Sequence, residues 1–411
     1  MSVQKREWID AAGRRRKAYR VRWQEGQTWR SRTFARDADA KAFNAELVRL
    51  KRLGTLAQLD SGSETLEEYV AGTWVPTFAA PLSMRTRRDY AQLYERHLAR
   101  DLGHIALRNL TPELLQRWYA EQLSAGAGPT RVRKALALLS HILQRAFEAD
   151  RVQRNAARLV RPARRAERAK VRPLAPVTIE AIREAMLNPQ PTTVAADRAG
   201  QRPRAAHTVA PRGNAQSRQR DALLVSLMAY AGLRPGEALA LRWDDIGEES
   251  INVERAVSMG QVKATKTGTT RSVRLLSPLA ADLREFRMAS GRPAPGVLLV
   301  PGADGAVWTE TAWGNWSKRQ WARALKGAGL GSARPYDLRH SFASLLLHEG
   351  RSVVYVARQL GHGAQLTLGT YGHVIDELDD APNIDAVAAI MGARDKLSAA
   401  HQLPKVVTRG A

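Results

Sequence analysis

Between Arg151 and Arg172 the chain carries nine basic residues and a single acidic one, Glu167, with Pro162 and Pro173 as helix breakers. Such a stretch is too charged to build a core and reads as an extended linker. It divides the 411 residues into parts that must fold on either side of it. At ~150 residues per domain, that length accommodates two or three domains, each long enough to bury a core. The linker is open to two compatible readings, a solvated hinge or a strap along a phosphate backbone.

Upstream of it the pattern changes once. Residues 1–60 start with the basic cluster Arg14, Arg15, Arg16 and Lys17, followed by alternating Tyr19, Val21 and Trp23, then Thr28, Trp29, Ser31 and Thr33 around Gly26. Period-two alternation predicts a hairpin or three-stranded sheet, and Phe43, Leu47 and Leu50 predict a helix over Arg36 to Leu53 that leans on it. The alternative is a frayed basic tail. Residues 64–162 then turn helical, with Thr111-Pro112 as a helix start and a long helix from Thr130 to Phe147 that opens on Arg131, Arg133 and Lys134. Downstream, a third domain is expected over 173–395, interrupted by an unpatterned, flexible insertion at about 188–219. Arg164 and Arg165 in the linker join the basic residues expected to meet a polyanion.

Lys and Arg number 64 against 40 Asp and Glu, a formal charge of +24. That excess points to nucleic acid as the partner. With no cysteine in the chain, disulfides, thiol catalysis and Cys-ligated metal sites are excluded. The histidines show no metal-ligand spacing, and no phosphate-binding glycine loop occurs, so neither a metal nor a nucleotide cofactor is expected. The longest strongly apolar run, Ala222 to Leu233, is short of the ~20 residues of a membrane span, and the first ten residues lack a signal-peptide core. A soluble, cytoplasmic protein is expected.

Four stretches of the third domain carry candidate chemistry. In Ala231-Gly-Leu-Arg-Pro-Gly-Glu237 an apolar helix breaks, leaving Arg234 at a rigid junction before Pro235, with Glu237 one turn on. A hairpin pairs Ile251 and Val253 with Val273 and Leu275, and Lys266 sits beside its Gly268 turn. In Arg334-Pro-Tyr-Asp-Leu-Arg-His340, Asp337 is expected to cap a helix that places Arg339 near its anion-favouring N-terminus. In Leu360-Gly-His-Gly-Ala-Gln-Leu-Thr-Leu-Gly-Thr-Tyr371, His362 follows a helix end and Tyr371 lies nine residues further on. Taken singly, each has an ordinary structural explanation: a surface arginine, a solvated lysine, a core tyrosine.

Taken together and in this order, they resemble the tyrosine recombinase family, the phage integrases. The resemblance implies a mainly α multidomain fold with small β-sheets: a β-rich arm-binding module, a helical, SAM-like core-binding domain and a mixed α/β catalytic domain. It places the family's two catalytic arginines on Arg234 and Arg339, the acidic companion on Glu237, the hairpin lysine on Lys266, the histidine on His362 and the nucleophile on Tyr371. Tyr336 stands where the family commonly has a histidine, which loses a group titrating near neutrality and leaves it a phosphate-positioning role.

The implied function is site-specific recombination, the integration or excision of a phage or mobile element through a 3′-phosphotyrosine intermediate, with no cofactor. Implied partners are double-stranded attachment sites, a homotetramer that exchanges a C-terminal helix over Ile384 to Met391, and accessory bending or directionality factors at the nucleoid. Two other readings use the same residues: a non-cleaving architectural DNA-binding protein, and a topoisomerase of the type IB kind.

Overall fold

The computed structural model describes every residue except 1, 10, 12–13, 26–27, 54–60, 165–170, 191, 195–206, 210–212, 266–269, 303–304, 377–381 and 403–411. Lys266 and Arg165 therefore lie outside the described residues. Contacts divide the chain into two compact units, Met1–Ala166 and Glu167–Ala411.

The first unit opens with an antiparallel sheet of strands Ser2–Ile9, Arg15–Glu25 and Thr28–Phe34, in that order. Alternation along the middle strand turns Val21 and Trp23 inward, where the helix Asp37–Arg52 covers them with Ala40 and Leu47. Arg15, Arg16 and Lys17 lie on the outer end of that strand, and Lys17 is 3.9 Å from Glu7. The expected sheet and helix are both present.

The rest of this unit is helical. Thr65 and Glu68 form a reciprocal capping box at 2.8 and 3.2 Å, Thr111 caps the helix Pro112–Ser124, and Pro129 sits in the first turn of Pro129–Glu148. In that last helix Val132, Leu136, Leu139, Ile142, Leu143 and Ala146, at spacings of three and four, are buried against Leu66, Trp74, Leu98 and Trp118.

Here the expected linker is partly overturned. Ala156, Ala157 and Val160 are buried in the same core, and Asn155 Nδ2 donates to the Ser140 carbonyl at 2.8 Å. A basic segment builds core when small apolar residues alternate with its arginines, because the arginines point out while the alanines pack.

The second unit wraps helices around the buried helix Ala215–Tyr230. Its N-cap is Asn214, so the last five residues of the expected insertion, 215–219, are helix; before it, Thr192–Val194 pairs with His207–Val209. The hairpin also differs from expectation. Ser250–Val253 does pair with Arg271–Arg274, but a second ladder, Arg255–Ser258 with Gln261–Ala264, is inserted between them and turns at Met259-Gly260; the expected Gly268 turn lies outside the described residues. Lys263 is thus a strand residue.

Trp308, Trp316 and Trp321 are buried in the core. The C-terminal helix is Ala386–Gln402, starting after Ile384, and it packs within its own unit through Ala386, Ile390 and Ala393, with Met391 exposed. Among the described residues no helix is long and apolar enough to cross a membrane.

Candidate active site

The Ala215–Tyr230 helix ends where Gly232 adopts φ +59°, a left-handed conformation in which a Cβ would lie 2.3 Å from the Phe342 ring. This sharp exit delivers Arg234 directly in front of the short helix Pro235–Ala238. Glu237, 3% exposed, reaches back: its Oε2 accepts from the Arg234 backbone N–H at 2.8 Å and its Oε1 from the Arg234 guanidinium at 2.7 Å. Glu237, expected as the acidic companion of Arg234, thus makes two bonds to that residue.

Glu237 is shared. Arg271, on the strand Arg271–Arg274, meets both carboxylate oxygens, at 2.6 and 3.0 Å, in a bidentate fork. Arg339 lies 3.9 Å away. Burial by itself would raise the Glu237 carboxyl, but the Arg271 bonds and charge, with the Arg234 N–H and charge, outweigh it and hold the carboxyl at about 2.

The three guanidiniums also reach three consecutive carbonyls. The helix Val353–Leu360 ends at Gly361, which has φ +65°. Arg271 donates to the Gln359 carbonyl at 3.0 Å, Arg339 to the Leu360 carbonyl, and Arg234 to the Gly361 carbonyl at 3.3 Å. Consecutive carbonyls at a helix C-terminus lack intrahelical donors and carry the negative end of the helix dipole. Here they gather the arginines side by side.

Arg339 is 2% exposed and also donates to the Gly232 carbonyl, so the glycine that shapes the junction holds both ends of the pair. Burial, reinforced by neighbouring Arg234, lowers the Arg339 guanidinium to about 10, which leaves it charged at neutral pH. Arg234, by contrast, keeps 38% of its side chain open to solvent. Two arginines distant in sequence therefore converge, one fixed below and one presented outward.

His362 follows Gly361. Its Nδ1 is 3.0 Å from Thr367 Oγ1, and burial, with Arg339 and Arg234 nearby, lowers the imidazole to about 4, so it is neutral at pH 7. Tyr371 lies on the helix Ala364–Asp376 and is 2% exposed. Its Oη is 2.6 Å from His340 Nδ1. Burial raises its phenol above the ordinary range despite the attraction of Arg339. Arg339 favours the phenolate, but in the free chain desolvation wins.

Tyr336 is 39% exposed, edge-on to the His340 ring at 5.4 Å. Asp337 is the first residue of the helix Asp337–His348 rather than its cap: its Oδ2 accepts from the Arg334 backbone N–H at 2.8 Å.

Of the residues that sequence reasoning brought together, Arg234 and Arg339 meet around Glu237 and one helix end, His362 follows that end, and Tyr371 lies on the next helix within electrostatic reach of Arg339. That reasoning missed Arg271, which had no local signal, and the contact of His340 with Tyr371. Of the basic residues expected to bind nucleic acid, Arg131, Lys134 and Arg164 are exposed, as are Arg14 to Lys17, whereas Arg133 is half-buried and donates to the Ala163 carbonyl. A hollow of about 830 Å³ beside Trp308, Trp316 and Arg323 lies at the other end of the Ala215–Tyr230 helix and contains none of the site residues.

Comparison with known proteins agrees with this geometry. The phage integrase family profile matches residues 204–377. A putative prophage phiRv2 integrase of Mycobacterium tuberculosis H37Rv is 26% identical over 392 residues, 88% of this chain and 91% of that protein. The prophage integrase IntR of Escherichia coli K12 is 30% identical over 178 residues, and the match spans 37% of this chain and 42% of that relative. Among solved structures, a lambda integrase dimer bound to a COC′ core site superposes with a TM-score of 0.56 at 16% identity, covering 91% of this chain and 95% of that one. The mainly helical fold with small sheets, the convergent arginines and the profile match over residues 204–377 give one conclusion: this part of the chain is similar to the phage integrase family of tyrosine recombinases.

Proposed function

We propose that this chain is a site-specific recombinase that cuts and rejoins double-stranded DNA through a 3′-phosphotyrosine bond, integrating or excising a phage or other mobile element. The observation that carries the reading is the convergence of Arg234 and Arg339 on Glu237 and on adjacent carbonyls, with Tyr371 on the helix that follows, bonded to His340 beside Arg339. A phosphodiester under attack gains charge on its non-bridging oxygens. Two fixed guanidiniums offer always-charged bidentate donors to that charge without reorganisation.

Tyr371 Oη attacks phosphorus, the bond to O5′ breaks, and a free 5′-hydroxyl remains to attack in the reverse step. The energy of the phosphodiester is conserved in the phosphotyrosine, so no nucleotide is consumed. His362, neutral and braced by Thr367, donates a hydrogen bond to a phosphate oxygen. Lys266 protonates O5′, and Tyr336 positions the phosphate.

In the same reading, residues 1–60 contact arm-type sites, the SAM-like helical segment 64–162 contacts the core site, and 173–395 performs the chemistry. The resemblance to integrases implies a homotetramer on two duplexes with accessory bending or directionality factors at the nucleoid, and the DNA-bound lambda integrase dimer supports DNA as the partner. The terminal helix is packed on its own unit in the free chain, and Arg394 binds Asp282 at 2.9 Å and Glu180 at 3.3 Å; exchange between protomers would first release those ion pairs.

Incubation with a nicked suicide substrate tests the proposal. A covalent protein–DNA adduct is expected from the native chain, none from Tyr371→Phe, and losses of about 100-fold or more from Arg234→Ala and Arg339→Ala. An undiminished adduct in Tyr371→Phe would remove the nucleophile from the scheme, and no adduct from the native chain would favour a non-cleaving architectural role.

A further inference from the structure

The proposed chemistry needs a group that takes the proton of the Tyr371 phenol, and the position where the family commonly carries a histidine holds Tyr336. Four residues on, in the first turn of the helix Asp337–His348, stands His340. Its Nδ1 is 2.6 Å from Tyr371 Oη, the two rings are 5.7 Å apart, and Tyr336 packs edge-on against its other flank at 5.4 Å. Among the described residues of the set assigned above, none touches the phenolic oxygen in this way.

We infer that His340 is the proton acceptor for Tyr371, an imidazole displaced by one helical turn from the position that Tyr336 occupies. The inference rests on the reading of Tyr371 as nucleophile. With His340 in the tautomer protonated on Nε2, the Nδ1 lone pair accepts the phenolic proton as Oη bonds to phosphorus. The P–O5′ bond breaks, O5′ leaves with a proton from a separate donor, and His340 ends as imidazolium. In the rejoining step the same proton returns to the departing tyrosine oxygen. Nothing is oxidised or reduced.

The surroundings of His340 keep it available as a base. Asp337, Arg334 and Arg339 flank it in and just before its own helix, and Tyr371 faces it from the Ala364–Asp376 helix. Burial first, and then the two arginines, outweigh Asp337 and hold its pKa below the ordinary histidine value. The ring is thus unprotonated at neutral pH, where a donated phenolic proton can be received. Placement next to Arg339 in sequence ties the base to one of the arginines that would grip the phosphate.

The test uses the full chain, a nicked DNA substrate, and a second substrate whose scissile 5′ oxygen is replaced by sulfur, a leaving group that needs no acid. His340→Gln keeps a hydrogen-bonding side chain but cannot take up a proton. It is expected to slow adduct formation at saturating DNA by about 100-fold, and the deficit should persist on the sulfur substrate because the lost step is not leaving-group protonation.

The pH profile separates a base from a merely structural contact. The native rate should level off above the His340 pKa, while the variant rate should climb about tenfold per pH unit between about pH 6 and 9 as phenolate forms directly. A His340→Gln rate within about twofold of native, with an unchanged profile, overturns the assignment. Should the variant fail to bind DNA, the native profile decides alone: a plateau supports His340, and an unbroken climb through that range refutes it. An adduct absent from the native chain itself would instead sink the recombinase reading.

Discussion

Glu237 is the residue on which the centre turns, because one buried carboxylate answers Arg234 and Arg271 and lies near Arg339. Its pKa in the fold, about 2, lies below that of a carboxyl in an unfolded chain. A depressed carboxyl contributes stability that is complete above the unfolded value of ~4.3 and is lost as pH falls toward the folded one. A gap of ~2 units corresponds to about 3 kcal/mol. Denaturant titrations at successive pH values should therefore show a loss of that order between about pH 4.5 and 2 in the native chain, and a flatter dependence in Glu237→Gln.

The same variant should be less stable at pH 7, since it leaves Arg271 and Arg339 facing a neutral amide in a buried site. Parallel curves for the two proteins would show that the carboxylate is not the acid-sensitive group. His362 follows the same sign: lowered to about 4, it costs stability as pH falls from about 6.5, where the unfolded chain takes up a proton first.

At the scale of elements, the site depends on how the helix Val353–Leu360 ends. Gly361 has a positive φ and its missing Cβ would lie 2.9 Å from Arg271 Cδ. Gly361→Ala therefore meets two costs, a left-handed backbone worth ~1 kcal/mol for a residue with a Cβ and a displaced arginine. The expected result is a lower melting temperature together with slower adduct formation, whereas Gly363→Ala, where a Cβ meets nothing within 4 Å, should leave stability almost unchanged. Equal melting temperatures for the two variants would separate the helix end from the packing of Arg271.

This element also shows what the sequence could convey. The break before Arg234, the Thr111-Pro112 helix start and the stretch ending at Tyr371 are local patterns, and the structure keeps each of them. Arg271 is one arginine among many on a strand. Its value comes from Glu237, 34 positions away, and Gln359, 88 away, and no periodicity reports contacts at that range. His340 was visible beside Arg339, but only the docking of two helices aims its ring at Tyr371. The inserted ladder at Met259-Gly260 escaped for a related reason: its strands are four residues long and half-exposed, too short for alternation to stand out.

For the whole molecule, the charge of +24 governs how it approaches a polyanion. Much of that charge is not free to meet DNA, since arginines such as Arg133 are occupied by the protein's own carbonyls. Arg131 and Lys134, at the start of the same Pro129–Glu148 helix, are exposed and have no such partner among the described residues. If they contact phosphates, each releases a counterion on binding, and log K falls with log salt at a slope of about 0.9 per contact. The double variant Arg131→Ala, Lys134→Ala should therefore bind core-site DNA more weakly at low salt and show a slope shallower by about 1.8. Arg133→Ala should differ in kind: it frees the Ala163 carbonyl and lowers the melting temperature, with little change in slope. Binding isotherms at four or five salt concentrations, alongside melting curves, separate the two outcomes, and an unchanged slope in the double variant would take both residues out of the DNA-binding surface.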